Sequence, residues 1–350
     1  MILTELECSG RFRIVRPIRN EAVASVYEAE LLGAEGFSKR VALKVIAPAF
    51  AHDPEFLLAF LRETTLSANL MHGNIVQTYQ LGEADGEYFV AMELIHGPSL
   101  RMIVDRHREK GRALPPTLAA YIVSRVCRAL DYAHMFVDPA GQRVNIVHSD
   151  VGSPNILATW DGHIKLANFG VSRALSAAAA GSAQVAQMRD RHYLSPEQRS
   201  GAPLDDRSDV YSLGLVLYEL LALDHLQVNE RPATSDNGFN PQLLPDFGQL
   251  IPSLDAMLEY ILRRALDHEP ARRPSAGAFG ADLDRWIATQ QTHGSPDRLQ
   301  SHLAQLFPQD FSSAVWTENL NTGVGFSALE RAVRHNANGR AGLLERWFGR

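Results

Sequence analysis

Between residues 146 and 170 the chain reads IVHSDVGSPNILATWDGHIKLANFG, and this stretch restricts the fold more than any other. Residues 156–159 and 163–166 are short strand-like runs. Asp161-Gly162 between them is the strongest short signal for a tight hairpin, whose two turn positions both need positive φ. A hairpin folds its ends together. Asp150 and Asn155 precede the first strand and Asn168 follows the second, so these three side chains are expected to converge on one spot.

That convergence resembles the active site of the eukaryotic-like (Hanks-type) bacterial Ser/Thr protein kinases. His148-Ser149-Asp150 with Asn155 fills the family's H-R-D-x-x-x-x-N pattern at the right spacing, and Asn168-Phe169-Gly170 fills D-F-G with the metal-binding aspartate changed to asparagine. Further motifs follow the family's order. Val41-Ala42-Leu43-Lys44 resembles V-A-I-K, and His72-Gly73-Asn74-Ile75-Val76 resembles H-P-N-I-V. Ser195-Pro196-Glu197 resembles A-P-E, and Arg273 matches the arginine that pairs with that glutamate. Asp209, opening a long apolar helix, matches the aspartate that braces the catalytic loop. The resemblance covers roughly residues 12–287 and implies an α+β, bilobal protein-kinase-like fold. Its expected parts are an N-terminal tail (1–11), a β-rich N-lobe (12–94), a larger helical C-lobe (95–288) and a helical C-terminal extension (289–350).

Local pattern agrees. Residues 12–18, 25–31, 41–46 and 88–92 read as strands. Asp53-Pro54-Glu55 is a helix start, with a cap residue and proline at the first position, and that helix runs to about residue 70 with Phe56, Phe60, Glu63 and Leu70 on one face. A carboxylate on an apolar face wants a cation, and the resemblance makes Lys44 the partner of Glu63. A structural ion pair explains both residues equally well. The resemblance also places Met92 as gatekeeper, with Glu93 and Ile95 along the hinge that would border an adenine; a methionine on a buried strand also serves as plain core.

The departures from the family pattern matter more than the matches. The glycine-rich loop is replaced by Arg19-Asn20-Glu21-Ala22-Val23-Ala24. Glycine lets a backbone approach phosphates and aim its N–H groups at them; Arg19, Glu21 and Ala24 obstruct that approach, Glu21 adds negative charge, and the segment reads as an ordinary hairpin. Gly152 stands where Ser/Thr kinases of this family carry a lysine, and Ser149 replaces the H-R-D arginine that pairs with an activation-loop phosphate. No threonine lies between Phe169 and Glu197, so loop phosphorylation on threonine is not expected. Mg²⁺ favours anionic oxygens and gives up its water reluctantly, while Asn155 and Asn168 are both neutral; no metal site is expected. Asp150 alone survives as a vestigial base beside Lys44 and Glu63. A pseudokinase is the expectation, a regulatory or scaffolding module with weak ATP binding at best and no requirement for Mg²⁺. Two alternatives stand: a weak, unorthodox Ser/Thr kinase using Lys44, Asp150 and Asn155, and a purely structural module with a closed pocket.

Net charge is −6 over 350 residues, which gives no sign of nucleic-acid binding. Two cysteines, Cys8 and Cys127, form neither a metal spacing nor a disulfide framework, Glu5 and Glu7 interrupt the apolar start, and no apolar run reaches membrane-spanning length. A cytoplasmic protein acting through protein partners is expected. Leu343, Leu344, Trp347 and Phe348 fall at helical spacing among Arg340, Arg346 and Arg350. This is read either as a helix packed on the C-lobe or as a docking helix for a partner or an anionic surface.

Overall fold

Five antiparallel strands pair in the order β1-β2-β3-β5-β4 at one end of the molecule. The computed structural model describes residues 11–20, 23–34, 37–84, 87–138, 140–169, 190–225, 247–251 and 254–311. Glu21, Gly170, the activation segment after it and the 341–348 stretch lie outside these residues. The strands are β1 (Arg11–Asn20), β2 (Ala24–Leu32), β3 (Ser38–Ile46), β4 (Thr78–Ala84) and β5 (Glu87–Met92). Between β3 and β4 lies α1 (Pro54–Ala68). The Asp53 side chain accepts the Glu55 and Phe56 N–H groups at its start, two of the donors a helix N-terminus leaves unpaired. The helix stops at Ala68, two residues short of the expected end, with Asn69 as its C-cap. Its buried face is Phe56, Phe60, Thr64 and Ser67, and Glu63 on the same side is only half-buried. Phe56 and Phe60 stack and pack with Ile46, Val90 and Val23, which ties the helix to the sheet.

The second lobe is helical. Its elements are α2 (Leu100–Lys110), α3 (Pro116–His134), α4 (Pro196–Ser200), α5 (Asp206–Ala222), α6 (Ala256–Ala265), α7 (Ala276–Thr289) and α8 (Pro296–Leu306). α3 and α5 are buried over most of their circumference, as helices at the centre of a lobe must be. No helix among the described residues is long and apolar enough to cross a membrane.

Between the lobes sits the hairpin of β6 (Ile156–Ala158) and β7 (Ile164–Leu166), in the register Ile156↔Leu166, Leu157↔Lys165, Ala158↔Ile164. Its turn differs from the expected two-residue form. The Gly162 N–H donates to the Thr159 carbonyl (2.9 Å) and the Thr159 N–H to the His163 carbonyl (2.9 Å), so the loop is longer. Of the loop residues only Gly162 is left-handed, at φ 84°; Asp161 is not. The longer loop frees Trp160 to pack against Phe307 and Phe311, with ring centroids 6.1 and 5.8 Å away. α8 therefore closes over the back of the hairpin, burying Leu299, Leu303 and Leu306 on one face.

Candidate active site

The hairpin ends do converge. Lys44 Nζ donates to Asn168 Oδ1 (3.1 Å), Asn168 Nδ2 to Asn155 Oδ1 (2.8 Å), and Asn155 Nδ2 to Asp150 Oδ2 (2.8 Å) and to the Asp150 carbonyl (2.8 Å). The direction of this chain is fixed at both ends. An ammonium can only donate and an ionised carboxylate can only accept, so each amide between them has one orientation that satisfies both neighbours. Asn168 adopts φ 69°, a left-handed conformation in which asparagine is several-fold enriched.

The donor set is poor for Mg²⁺, which favours anionic oxygens. Both amide oxygens already accept an N–H, and Asp150 is the one carboxylate in the chain of contacts. An aspartate at position 168 would offer Asn155 Oδ1 a second acceptor instead of a donor, and a cation would be needed between the two. The amide at 168 is what allows the contacts to close with protein atoms alone.

The backbone under Asp150 is held rigidly. Asp209 Oδ2 accepts the His148 N–H (2.8 Å) and a hydrogen bond from His134 Nε2 (2.8 Å), while Asp209 Oδ1 accepts the Ser149 N–H (2.7 Å). His148 Nδ1 accepts the Asp150 N–H (3.2 Å), so the proton of the neutral ring sits on Nε2, which donates to the Ala167 carbonyl (2.8 Å). The Phe169 ring meets the His148 ring edge-on at 4.5 Å. Ser149, at φ 65°, buries a hydroxyl with no hydrogen-bond partner among the described residues. The Glu197 carboxylate is bound by both Arg273 nitrogens (2.6 and 2.9 Å) and by Ser208 (2.7 Å). Burial pushes its pKa up, but the Arg273 and Ser208 hydrogen bonds prevail and hold it at about 2.

Gly152 has a positive structural reason. A Cβ there would meet Tyr193 Cδ2 at 2.8 Å. The Tyr193 hydroxyl donates to Glu219 Oε2 (2.6 Å) and takes a hydrogen bond from Ser153 (2.7 Å). Burial, with the Glu219 carboxylate second, raises the Tyr193 pKa far above its ordinary value, so it stays a donor. A side chain at 152 would therefore press on the Tyr193 ring at its first carbon. Sequence reading recorded the missing lysine without the Tyr193 contact, because nothing local to Gly152 points to a residue 41 positions away.

On the N-lobe side, Val23 and Ala24 are buried in the cluster of Ile46, Phe56 and Phe60, so this part of the β1–β2 hairpin is packed into its own lobe. Arg19 instead crosses between lobes, its Nη1 donating to the Pro154 carbonyl (3.2 Å). Sequence reading treated Arg19 only as a lost glycine. Met92 is half-buried and lines, with Lys44, Thr64, Asn168 and Phe169, a cavity of about 40 Å³. Ligand pockets run to ~300–1,000 Å³, so this space behind Met92 admits water and not a purine. The Glu93 carboxylate is engaged by Lys165 (2.7 and 2.9 Å) and by the Gln77 N–H (3.1 Å). The Glu93 N–H donates to the Gln77 carbonyl (2.8 Å), which leaves the Glu93 carbonyl as its group for a ligand. Ile95 is half-buried just beyond.

The protein kinase domain model matches residues 23–281. Tyrosine-protein kinase MasK of Myxococcus xanthus is 32% identical over 292 residues, which cover 81% of this chain and 44% of MasK. Serine/threonine-protein kinase PrkC of Bacillus subtilis is 34% identical over 248 residues, covering 67% of this chain and 36% of PrkC. The chain thus spans less than half the length of these two relatives. The crystal structure of the Mycobacterium tuberculosis PknI kinase domain superposes with a TM-score of 0.60 at 30% identity, covering 81% of this chain and 99% of that one.

Proposed function

The chain belongs to the protein kinase domain family, and from that premise we propose that it works as a pseudokinase, a regulatory or scaffolding module with little or no phosphoryl transfer. The observation that carries this reading is the closed run of contacts Lys44–Asn168–Asn155–Asp150. Phosphoryl transfer depends on positioning and on neutralising phosphate charge, chiefly through metal ions. Here the amide at 168 takes a protein partner where the family aspartate takes a metal, and position 152, where the family carries a lysine, is a glycine packed against the Tyr193 ring. In this reading Asp150 is a vestigial base, its carboxylate partly engaged by Asn155. Lys44, the Glu93 carbonyl, Ile95 and Met92 are the residues that would meet a nucleotide, weakly and without help from Mg²⁺. The chain then acts by binding other proteins in the cytoplasm.

The test is transfer from radiolabelled ATP to the protein itself and to generic serine, threonine and tyrosine substrates. Typical kinases turn over at ~1–100 per second. The expected result is no label above that of the Asp150→Asn variant. Robust autophosphorylation that disappears in Lys44→Ala would overturn the reading in favour of a weak or unorthodox kinase.

A further inference from the structure

The strand register places a second cation beside Lys44. Arg19 is paired with Val26 across β1 and β2, and Val26 with Lys44 across β2 and β3. Directly opposed residues in neighbouring antiparallel strands project from the same face of the sheet, so Arg19, Val26 and Lys44 form one row facing the catalytic loop. The contacts agree: Lys44 reaches Asn168 and Arg19 reaches Pro154, next to Asn155. Two strand spacings separate the ends of the row, roughly 10 Å from backbone to backbone.

We propose that Arg19 and Lys44 form a metal-independent clamp for the polyphosphate chain of a nucleotide, with the Arg19 guanidinium replacing the backbone cradle of a glycine-rich loop. This deepens the pseudokinase reading and rests on its metal-free site. A glycine-rich loop binds phosphate through N–H groups aimed into the cleft. Here Val23 and Ala24 are packed into the lobe, and among the described residues of this hairpin the Arg19 side chain donates toward the catalytic loop. A guanidinium is charged at all working pH values and offers five donors in a fork that matches phosphate oxygens. One of its acceptors is the neutral Pro154 carbonyl. A phosphate oxygen is an ionised acceptor, and such bonds are roughly twice as strong, so an incoming phosphate displaces Pro154 from Arg19. The Asn168 amide accepts from Lys44 and donates to Asn155, the neighbour of the Pro154 whose carbonyl Arg19 meets. Asp150, the acid of this loop, is partly screened by its hydrogen bond from Asn155. Two cations without acidic metal ligands suit a bare polyphosphate better than one already neutralised by Mg²⁺.

Calorimetric titration in EDTA tests this with ATP, adenosine and inorganic tripolyphosphate as probes. The proteins are the full chain and its Arg19→Ala and Arg19→Lys variants. Arg19 is exposed, so neither change disturbs the core. Arg19→Ala is expected to weaken ATP about tenfold or more while adenosine changes less than twofold, and Arg19→Lys, which keeps the charge, is expected to lose less than Arg19→Ala. Weakening of tripolyphosphate by Arg19→Ala identifies the polyphosphate itself as what Arg19 recognises. Unchanged or tighter ATP binding by Arg19→Ala would overturn the clamp, and so would equal weakening of ATP and adenosine or no ATP binding by the parent chain in EDTA. None of these outcomes involves phosphoryl transfer, so the clamp and the pseudokinase reading fail separately.

Discussion

At the scale of single residues, one atom exchange governs the site. Replacing an aspartate oxygen by the Asn168 amide nitrogen converts an acceptor facing Asn155 into a donor, and the contacts close from Lys44 to Asp150. Asn168→Asp is therefore expected to be destabilising and catalytically silent. It removes the Asn168–Asn155 hydrogen bond and opposes two acceptors, at a cost of ~1–3 kcal/mol for the unsatisfied partner. Thermal unfolding should show the loss, and a transfer assay should show no gain, since the loop lysine and the glycines are still absent. Substantial transfer by this single variant would mean the metal aspartate was the only real defect. Much of this was legible in the sequence. The spacing of Asp150, Asn155 and Asn168 around a hairpin predicted their convergence. The partners of Arg19 and Gly152 were not legible, because Pro154 and Tyr193 meet them only through the packing of two lobes and of a distant segment.

At the scale of elements, local signals read well where the chain decides for itself. Strands β1, β2, β3 and β5 and the cap at Asp53 were visible in alternation and helix-start chemistry. The hairpin turn was misread, since a DG pair favours a two-residue turn locally, whereas Trp160 is drawn out to pack on Phe307 and Phe311. α8 lies in the extension expected to be helical, but its bounds were not placed, because its apolar face at Leu299, Leu303 and Leu306 is one stripe on a polar helix. Gly162 adopts φ 84°, and a Cβ there would strike the Pro296 carbonyl. Gly162→Ala is expected to cost about 2–4 kcal/mol from left-handed strain and displacement of α8, measured by denaturant unfolding; an unchanged midpoint would show that α8 does not brace the hairpin. The same helix carries a pH dependence. His302 Nε2 and His107 Nε2 lie 2.9 Å apart, and His107 Nδ1 is 2.6 Å from the Arg112 carbonyl, so His107 donates there and accepts from His302. Burial first, then the charges of His107, Lys110 and Arg112, lowers the His302 pKa to about 4. The unfolded chain takes up this proton near 6.5, so between about 6.5 and 4 it binds the extra proton and stability falls as pH drops. His302→Gln keeps a donor without titrating, and unfolding measured across that window is expected to show a shallower acid loss than the parent. An identical pH profile would contradict the assignment.

At the scale of the whole molecule, the contacts that build the kinase fold are in place, while the family's metal-binding aspartate, loop lysine and glycine-rich loop are replaced in the sequence. Asp209 still gathers the catalytic loop, and Arg273 still grips Glu197 inside the second lobe. Both had been assigned from resemblance to motifs, and each is buried, so losing either strands a polar partner at a cost of several kcal/mol. Stability alone is reason enough to keep them. The cleft carries no such demand, and there Lys44, Asn155 and Asn168 satisfy one another. If protein atoms have taken the metal's place, divalent cation should not matter to whatever nucleotide the cleft accepts. The most direct measurement is a calorimetric titration of the protein with ATP, first in EDTA and then in excess Mg²⁺. The expected result is weak binding with an affinity that differs by less than about threefold between the two buffers, a free-energy difference below ~0.7 kcal/mol. Tight binding that requires Mg²⁺ would contradict it.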